Sequence, residues 1–273
     1  MCKTRLLFLV VFSISSLAVQ GQYYQFQTYG AEAGLNDPFI YSIVQDTRGF
    51  LLVGTGEGLG VFDGVSYETK YTSDGLAEDF VSTLYRSSSG IVWVGHKEGG
   101  ISYLNGDVIK KYQLKEEINS IITGISEDEE GVIWISTQND GIFCVDIKSG
   151  VQKFYKDQFL TVLINDIEIT DNKDILVATN NGLEVYNLDS DGSNLLFAKR
   201  YFETTNAKAI QSLGRNDYAV GTNQSGLFQI NISNGEEFKI ELPEDLLIKS
   251  LSSDDENNLY VSSHNLGMFK ISV

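Results

Sequence analysis

An all-β fold, a propeller of six four-stranded blades, is what this sequence predicts, and three observations carry the prediction. The first is a repeat. The stretch from Gly90 to Gly106 is a turn, an apolar run, a small residue, a hydroxyl or its equivalent, a loop ending in glycine and another strand, and the chain writes it six times. The small residues are Gly54, Gly95, Ser136, Ala178, Gly221 and Ser262, so successive copies stand 41 to 43 residues apart. A period near forty marks a repeat architecture. The second observation is the run ahead of each small residue, such as Leu51-Leu52-Val53, Val92-Trp93-Val94 and Ile133-Trp134-Ile135. These runs are continuously apolar, as strands are when both faces are covered. The third is the end of each unit. Ser66 to Thr72, Val108 to Leu114 and Gln152 to Lys156 mix Lys, Glu and Gln with aromatics, which suits an outer edge where charge discourages further pairing. A buried centre with a polar edge, repeated, describes a propeller blade.

Each unit supplies four strands. The first reads like Phe80-Val81-Ser82-Thr83-Leu84-Tyr85 and runs into a polar turn, for example Asp46 to Gly49 or Glu127 to Gly131. Asp and Asn bond their own backbone there and Gly accepts positive φ. The loop from second to third strand ends at Gly58, Gly100, Gly141, Gly182, Gly226 and Gly267, a recurrence that implies positive φ or close strand approach. The small column allows adjacent blades to approach. The column after it, Thr55, His96, Thr137, Thr179, Thr222 and Ser263, is placed to satisfy loop backbone groups. Tyr23 to Tyr29 resembles a fourth strand, and the chain stops on a third, Gly267 to Val273. Pairing those two segments closes a ring of six; in a longer protein the first strand would close a seventh or later blade.

The start of the chain reads as an export signal. Lys3 and Arg5 precede an apolar core, Leu6 to Phe12, and then small residues, with cleavage expected after Gly21. The propeller then spans 22–273, in the periplasm or outside the cell. As a membrane anchor the segment is short and broken by Ser13, Ser15 and Ser16. Without Lys3 and Arg5 the chain carries 18 basic against 37 acidic residues. Such a surface repels nucleic acid, which needs a basic footprint. It disfavours acidic glycans too, unless its few cations are gathered in one place. Only Cys144 remains after cleavage, so no internal disulfide forms.

The order Gly34-Leu35, apolar strand, Asp46-x-x-Gly49, then Gly54-Thr55-x-x-Gly58 resembles the two-component regulator propeller repeat. Gly75-Leu76 with Gly90-x-x-Trp93-Val94-Gly95, and Asp128-x-x-Gly131-x-x-Trp134-Ile135-Ser136-Thr137, are similar. Copies four to six keep the small–hydroxyl–loop–Gly core and lose the Trp. The resemblance implies the periplasmic sensor part of a membrane histidine kinase, often of the hybrid type, responding to glycan breakdown products. It implies a kinase module in the same or another chain as partner. This chain departs from that pattern in showing no second membrane span and no kinase sequence. Related propellers occur in the type IX secretion machinery, so a stand-alone envelope scaffold or protein-interaction propeller is the alternative reading.

In a ring, the loops from fourth to first strand and from second to third strand share one face. The first set brings Asn36, Asp37, Phe39, Glu78, Asp79, Phe80 and Asn119; the second brings His96, Lys97, Glu98, Asn139, Asp140, Asn180, Asn181 and Asn223. Aromatics beside carboxylates and amides suit an oligosaccharide or other small ligand, by stacking on C–H faces and accepting hydroxyl bonds. An envelope protein could use the same face. Trp93 and Trp134 are expected to pack within blades, and His96 to bond its loop or contact a ligand. Two histidines and one cysteine indicate no metal site, and no cofactor motif is present. Asn187 to Gly192 opens like a calcium loop, but position twelve is Ala198. Propellers also host enzymes. A sialidase-like site wants three converging arginines, whereas Arg48 and Arg215 fall in turns on the opposite face. With no nucleophile–base motif, the reading is non-catalytic.

Overall fold

The computed structural model describes residues 29–156, 158–159, 163–242, 246–254 and 258–272. It is a six-bladed β-propeller. Blade one is β1 (Ile40–Gln45), β2 (Leu51–Thr55), β3 (Gly58–Phe62) and β4 (Tyr67–Lys70). Blade two is β5 (Val81–Arg86), β6 (Val92–His96), β7 (Ile101–Asn105) and β8 (Val108–Lys111). Blade three is β9 (Ile122–Glu127), β10 (Ile133–Thr137), β11 (Ile142–Asp146) and β12 (Val151–Tyr155). Blade four is β13 (Ile164–Ile169), β14 (Ile175–Thr179), β15 (Gly182–Leu188) and β16 (Leu195–Tyr201). Blade five is β17 (Asn206–Gly214), β18 (Asp217–Asn223), β19 (Leu227–Asn231) and β20 (Glu237–Ile240). Blade six shows β21 (Ile248–Ser253), β22 (Asn258–Ser263) and β23 (Gly267–Ser272). Every pairing is between sequence neighbours and antiparallel. The expected export signal, and residues 23–28 of the expected closing strand, lie outside the described residues.

The columns read from the sequence do what their chemistry requires. β6, β10 and β14 are buried along their whole length. A Cβ on Gly54, Gly95 or Gly221 would come within 2.7, 2.6 and 2.5 Å of Val81, Ile122 and Ile248, the first residues of the next blades. The small column is therefore where neighbouring blades meet. In the next column, Thr55, Thr137, Thr179, Thr222 and Ser263 each donate to the carbonyl of the loop glycine, at 2.6–2.9 Å. Thr137 Oγ1 also accepts the Asp140 N–H at 2.8 Å. Gly141 and Gly182 turn at φ 81° and 115°, and a Cβ on either would meet the Tyr155 or Tyr201 carbonyl at 2.3–2.4 Å. In blade two the turn falls one residue early, on Gly99 at φ 97°, while Gly100 is held by close approach to Glu78.

The polar hairpin turns are also built by side chains. Asp46 Oδ1 accepts the N–H groups of Arg48 and Phe50, both at 2.9 Å, and Asp128 Oδ1 accepts those of Glu130 and Val132 at 3.1 and 2.9 Å. Trp134 is buried, stacks on Tyr155 at 5.8 Å and donates from Nε1 to Asp128 Oδ2 at 3.1 Å. Trp93 is buried edge-on to Tyr112 at 5.4 Å. Both tryptophans pack between blades. Cys144 is buried too, which pushes its thiol up to about 11. The core is divided into five buried clusters, each joining two successive blades from one to six.

Candidate functional site: the mouth of the central channel

The first strands of all six blades surround one cavity of ≈ 550 Å3. Each contributes residues from the stretch opposite the small column: Tyr41 and Ser42, Ser82 and Thr83, Ile122 and Thr123, Asn165 and Asp166, Lys208 and Ala209, Lys249 and Ser250. Ile121, Asn223, Leu247 and His264 lie at the loop end. Side chains stitch neighbouring first strands together. Ser42 Oγ accepts the Leu84 N–H at 3.0 Å, Ser82 Oγ donates to the Ile122 carbonyl at 2.8 Å, and the Asn165 amide donates to the Ala207 carbonyl at 2.6 Å. Asp166 accepts the N–H of Ile167 on Oδ1 and of Ile210 on Oδ2, both at 2.9 Å. Burial outweighs those bonds and holds its carboxyl up at about 7. Glu168, below it on β13, is pushed up to about 8 by burial and then by the Asp166 charge, although Ser126 Oγ donates to it at 3.2 Å.

The loops expected to form a binding face do share one rim, but many of their polar groups are occupied. Asp37 accepts the N–H groups of Phe39 and Gly56 at 2.9 Å. Glu78 accepts those of Glu98 and Gly100 at 2.8 Å, and Asp79 that of Thr72 at 2.8 Å. Asp140 accepts the Asn119 N–H at 2.9 Å, and the Asn139 N–H goes to Ser120 Oγ at 3.0 Å. Asn36 donates to the Tyr71 hydroxyl. The Asn180 N–H donates to the Leu163 carbonyl at 3.2 Å and that of Asn181 to Thr179 Oγ1 at 3.1 Å. Asp37, Glu78 and Asp140 tie fourth-to-first loops to second-to-third loops, whereas Asp79 bonds within its own loop. His96 is not presented to a ligand: it is fully buried, with Nδ1 against the Phe80 carbonyl at 3.0 Å and Nε2 against Ser102 Oγ at 2.9 Å. Burial lowers its pKa, partly offset by the bond to Phe80.

Among the expected residues, Phe80 and Lys97 are brought together, the ammonium 5.4 Å from the ring centre, and Tyr41 joins them 4.7 Å from Phe80. Phe39 is 70% exposed beside this group in sequence, and Asn223 alone of the expected set lines the cavity. Sequence reasoning missed the other wall residues. Their signal was present, as at least one polar residue interrupting each first strand at the repeat period. The arginines do not converge: Arg48 pairs with Asp46 and Asp107, Arg200 with buried Glu184 at 2.6 Å, and Arg86 donates to the Gln45 carbonyl at 3.0 Å. Asp189 accepts the Ser193 and Asn194 N–H groups within its own hairpin. Among the described residues no three His, Cys, Asp or Glu side chains gather as metal ligands.

A family model described as "Two component regulator propeller" matches residues 116–139, from the loop before β9 to the loop after β10. The chain carries the two component regulator propeller repeat. No curated protein matches the sequence. Solved structures match this propeller in fold at low identity. One is described as the extracellular domain of a hybrid two component system from B. thetaiotaomicron, with TM-score 0.75, 19% identity, and 92% of this chain covered against 36% of that one. Virginiamycin B lyase from Staphylococcus aureus superposes with TM-score 0.65 and 17% identity, covering 86% and 84% of the two chains. PorZ, a surface component of the type-IX secretion system of Porphyromonas gingivalis, gives TM-score 0.67 and 14% identity, covering 93% and 42%. This propeller thus spans about a third of the length of the two component system domain it matches.

Proposed function

We propose that this protein is an exported sensor propeller that binds a glycan-derived ligand at its channel mouth and reports it to a histidine kinase module in the same or another chain. The observation that carries this reading is the convergence of at least one polar side chain from the first strand of every blade on one ≈ 550 Å3 cavity. Small-ligand sites fall in that range of volume and combine a few placed polar groups with apolar and aromatic surface. The rim loops are already held by side-chain-to-backbone bonds, so little ordering entropy opposes binding. Tyr41 and Phe80 offer ring faces to sugar C–H groups. An export signal in 1–21 and a periplasmic or secreted propeller in 22–273 belong to the same proposal. The repeat at 116–139 and the extracellular domain of the two component system both support it. Signalling would be a population shift: the ligand favours one arrangement of the propeller relative to its partner module.

The likeness to the secretion-system surface component favours a second reading, an envelope scaffold that binds protein. Thermal shift with a panel of soluble oligosaccharides, followed by product analysis, separates the readings. A shift without turnover supports the sensor, turnover an enzyme, and no shift with any glycan the scaffold.

A further inference from the structure

The channel gathers positive charge in a protein whose formal net charge is −17. Lys208 on β17 and Lys249 on β21 stand on adjacent blades and both line the cavity. Lys208 is half-buried and gives one of its donors to Asn165 Oδ1 at 3.1 Å. Burial first, and then the charge of Lys249, lower its pKa from the ordinary lysine value. Among the described residues neither lysine forms an ion pair. The other titratable groups on the wall are Tyr41, Asp166 and His264. Asp166 forms no ion pair with either lysine, and its two oxygens accept the N–H groups of Ile167 and Ile210. Ser42 accepts the Leu84 N–H and keeps its own O–H to give.

The half-buried Lys208 ammonium, beside the exposed Lys249 on the same wall and in no ion pair, is held at a cost in free energy. An anion entering between them removes that cost and gains charge-assisted hydrogen bonds. The acidic exterior works against anions everywhere else, so the channel is the place where one is favoured.

We propose that the channel is a binding site for a small ligand bearing an oxyanion, a carboxylate or a phosphate, held by Lys208 and Lys249, with its neutral part towards the aromatic rim at Tyr41 and Phe80. This rests on the sensor reading and narrows it from glycan-derived ligands in general to acidic ones.

The test is calorimetric titration of the whole protein with D-glucuronate, glucose 6-phosphate, inorganic phosphate and, as the neutral counterpart, glucose, beside the neutral oligosaccharide panel. Binding of glucuronate or glucose 6-phosphate but not glucose is expected, and which of the two binds tells carboxylate from phosphate. Lys208→Met and Lys249→Met should each weaken that binding by about tenfold or more. Raising the salt should weaken it further. Lys249→Glu, on the exposed member of the pair, should abolish it while circular dichroism stays that of the native fold. The inference is overturned if no anionic probe binds the native protein, or if the lysine variants bind the anions as tightly as it does. Neutral oligosaccharides bound by a native protein that takes up no anionic probe would overturn the anion site and leave the sensor reading standing. Failure of the whole panel would remove both.

Discussion

Among the described residues the five interfaces between successive blades are buried, whereas Ile43 of blade one and Met268 of blade six are exposed. At one position of the third strand, Leu59, Ile101, Ile142, Leu183 and Leu227 are at most 1% exposed, whereas Met268 of blade six is 67% exposed. On the opposite side, Leu84, Ile125, Ile167 and Ile210 are 2–8% exposed, whereas Ile43 of blade one is 57% exposed. These residues hold the same register in every sheet. The difference is therefore not in local structure. A repeat writes an apolar residue on each blade face, and only a neighbouring blade turns it into core.

The largest expected effect is at a buried interface. Trp134→Ala should destabilise the fold by about 3–5 kcal/mol in urea unfolding, since it removes the stack on Tyr155 and leaves Asp128 without its indole partner. A loss below about 1 kcal/mol would put Trp134 outside the packed core. The same-register pair sharpens the contrast. Ile142→Ala should cost about 2–5 kcal/mol, and Met268→Ala within about 0.5 kcal/mol, as at an exposed site. Equal costs would mean that the seam is closed in solution.

Next comes a pH dependence that belongs to the interior of blade four. Asp166 and Glu168 have carboxyls raised to about 7 and about 8, so the fold keeps protons that the unfolded chain releases above the ordinary carboxylate range. The stability they contribute is full below about pH 4 and is lost as pH rises through about 7–8. Thermal unfolding followed by circular dichroism should show Tm falling from pH 5 to pH 8. Glu168→Gln should flatten that fall; an unchanged slope would remove Glu168 as its source. The smallest effect is in the hydroxyl column. Thr137→Ala, which removes a buried donor and acceptor, should cost about 1–2 kcal/mol, and Ser263→Ala in the more open blade six about 0.5 kcal/mol or less. Identical losses would show that exposure does not govern these bonds.

The candidate site was less legible than the fold. Asp37, Glu78 and Asp140 have the composition of sugar-binding acids, yet their oxygens hold loop N–H groups. A carboxylate on a loop bonds backbone or ligand with the same chemistry, and sequence does not say which is nearer. The wall residues were hidden for another reason. Lys208 and Lys249 are 41 positions apart in the chain and become neighbours only when blades five and six stand side by side.

By itself the sequence determined the blade: its four strands, its polar hairpin turn, the small column that lets blades touch and the hydroxyl that closes each loop. All of these depend on contacts within one repeat or with the identical next one, so a periodic pattern is enough to specify them. Only the tertiary structure decided that polar residues from six first strands surround one cavity, that two lysines line it, and that Ile43 and Met268 lie open while their counterparts are core. Those outcomes depend on how many blades stand around the axis and what lies against the end ones, and no single repeat carries that information.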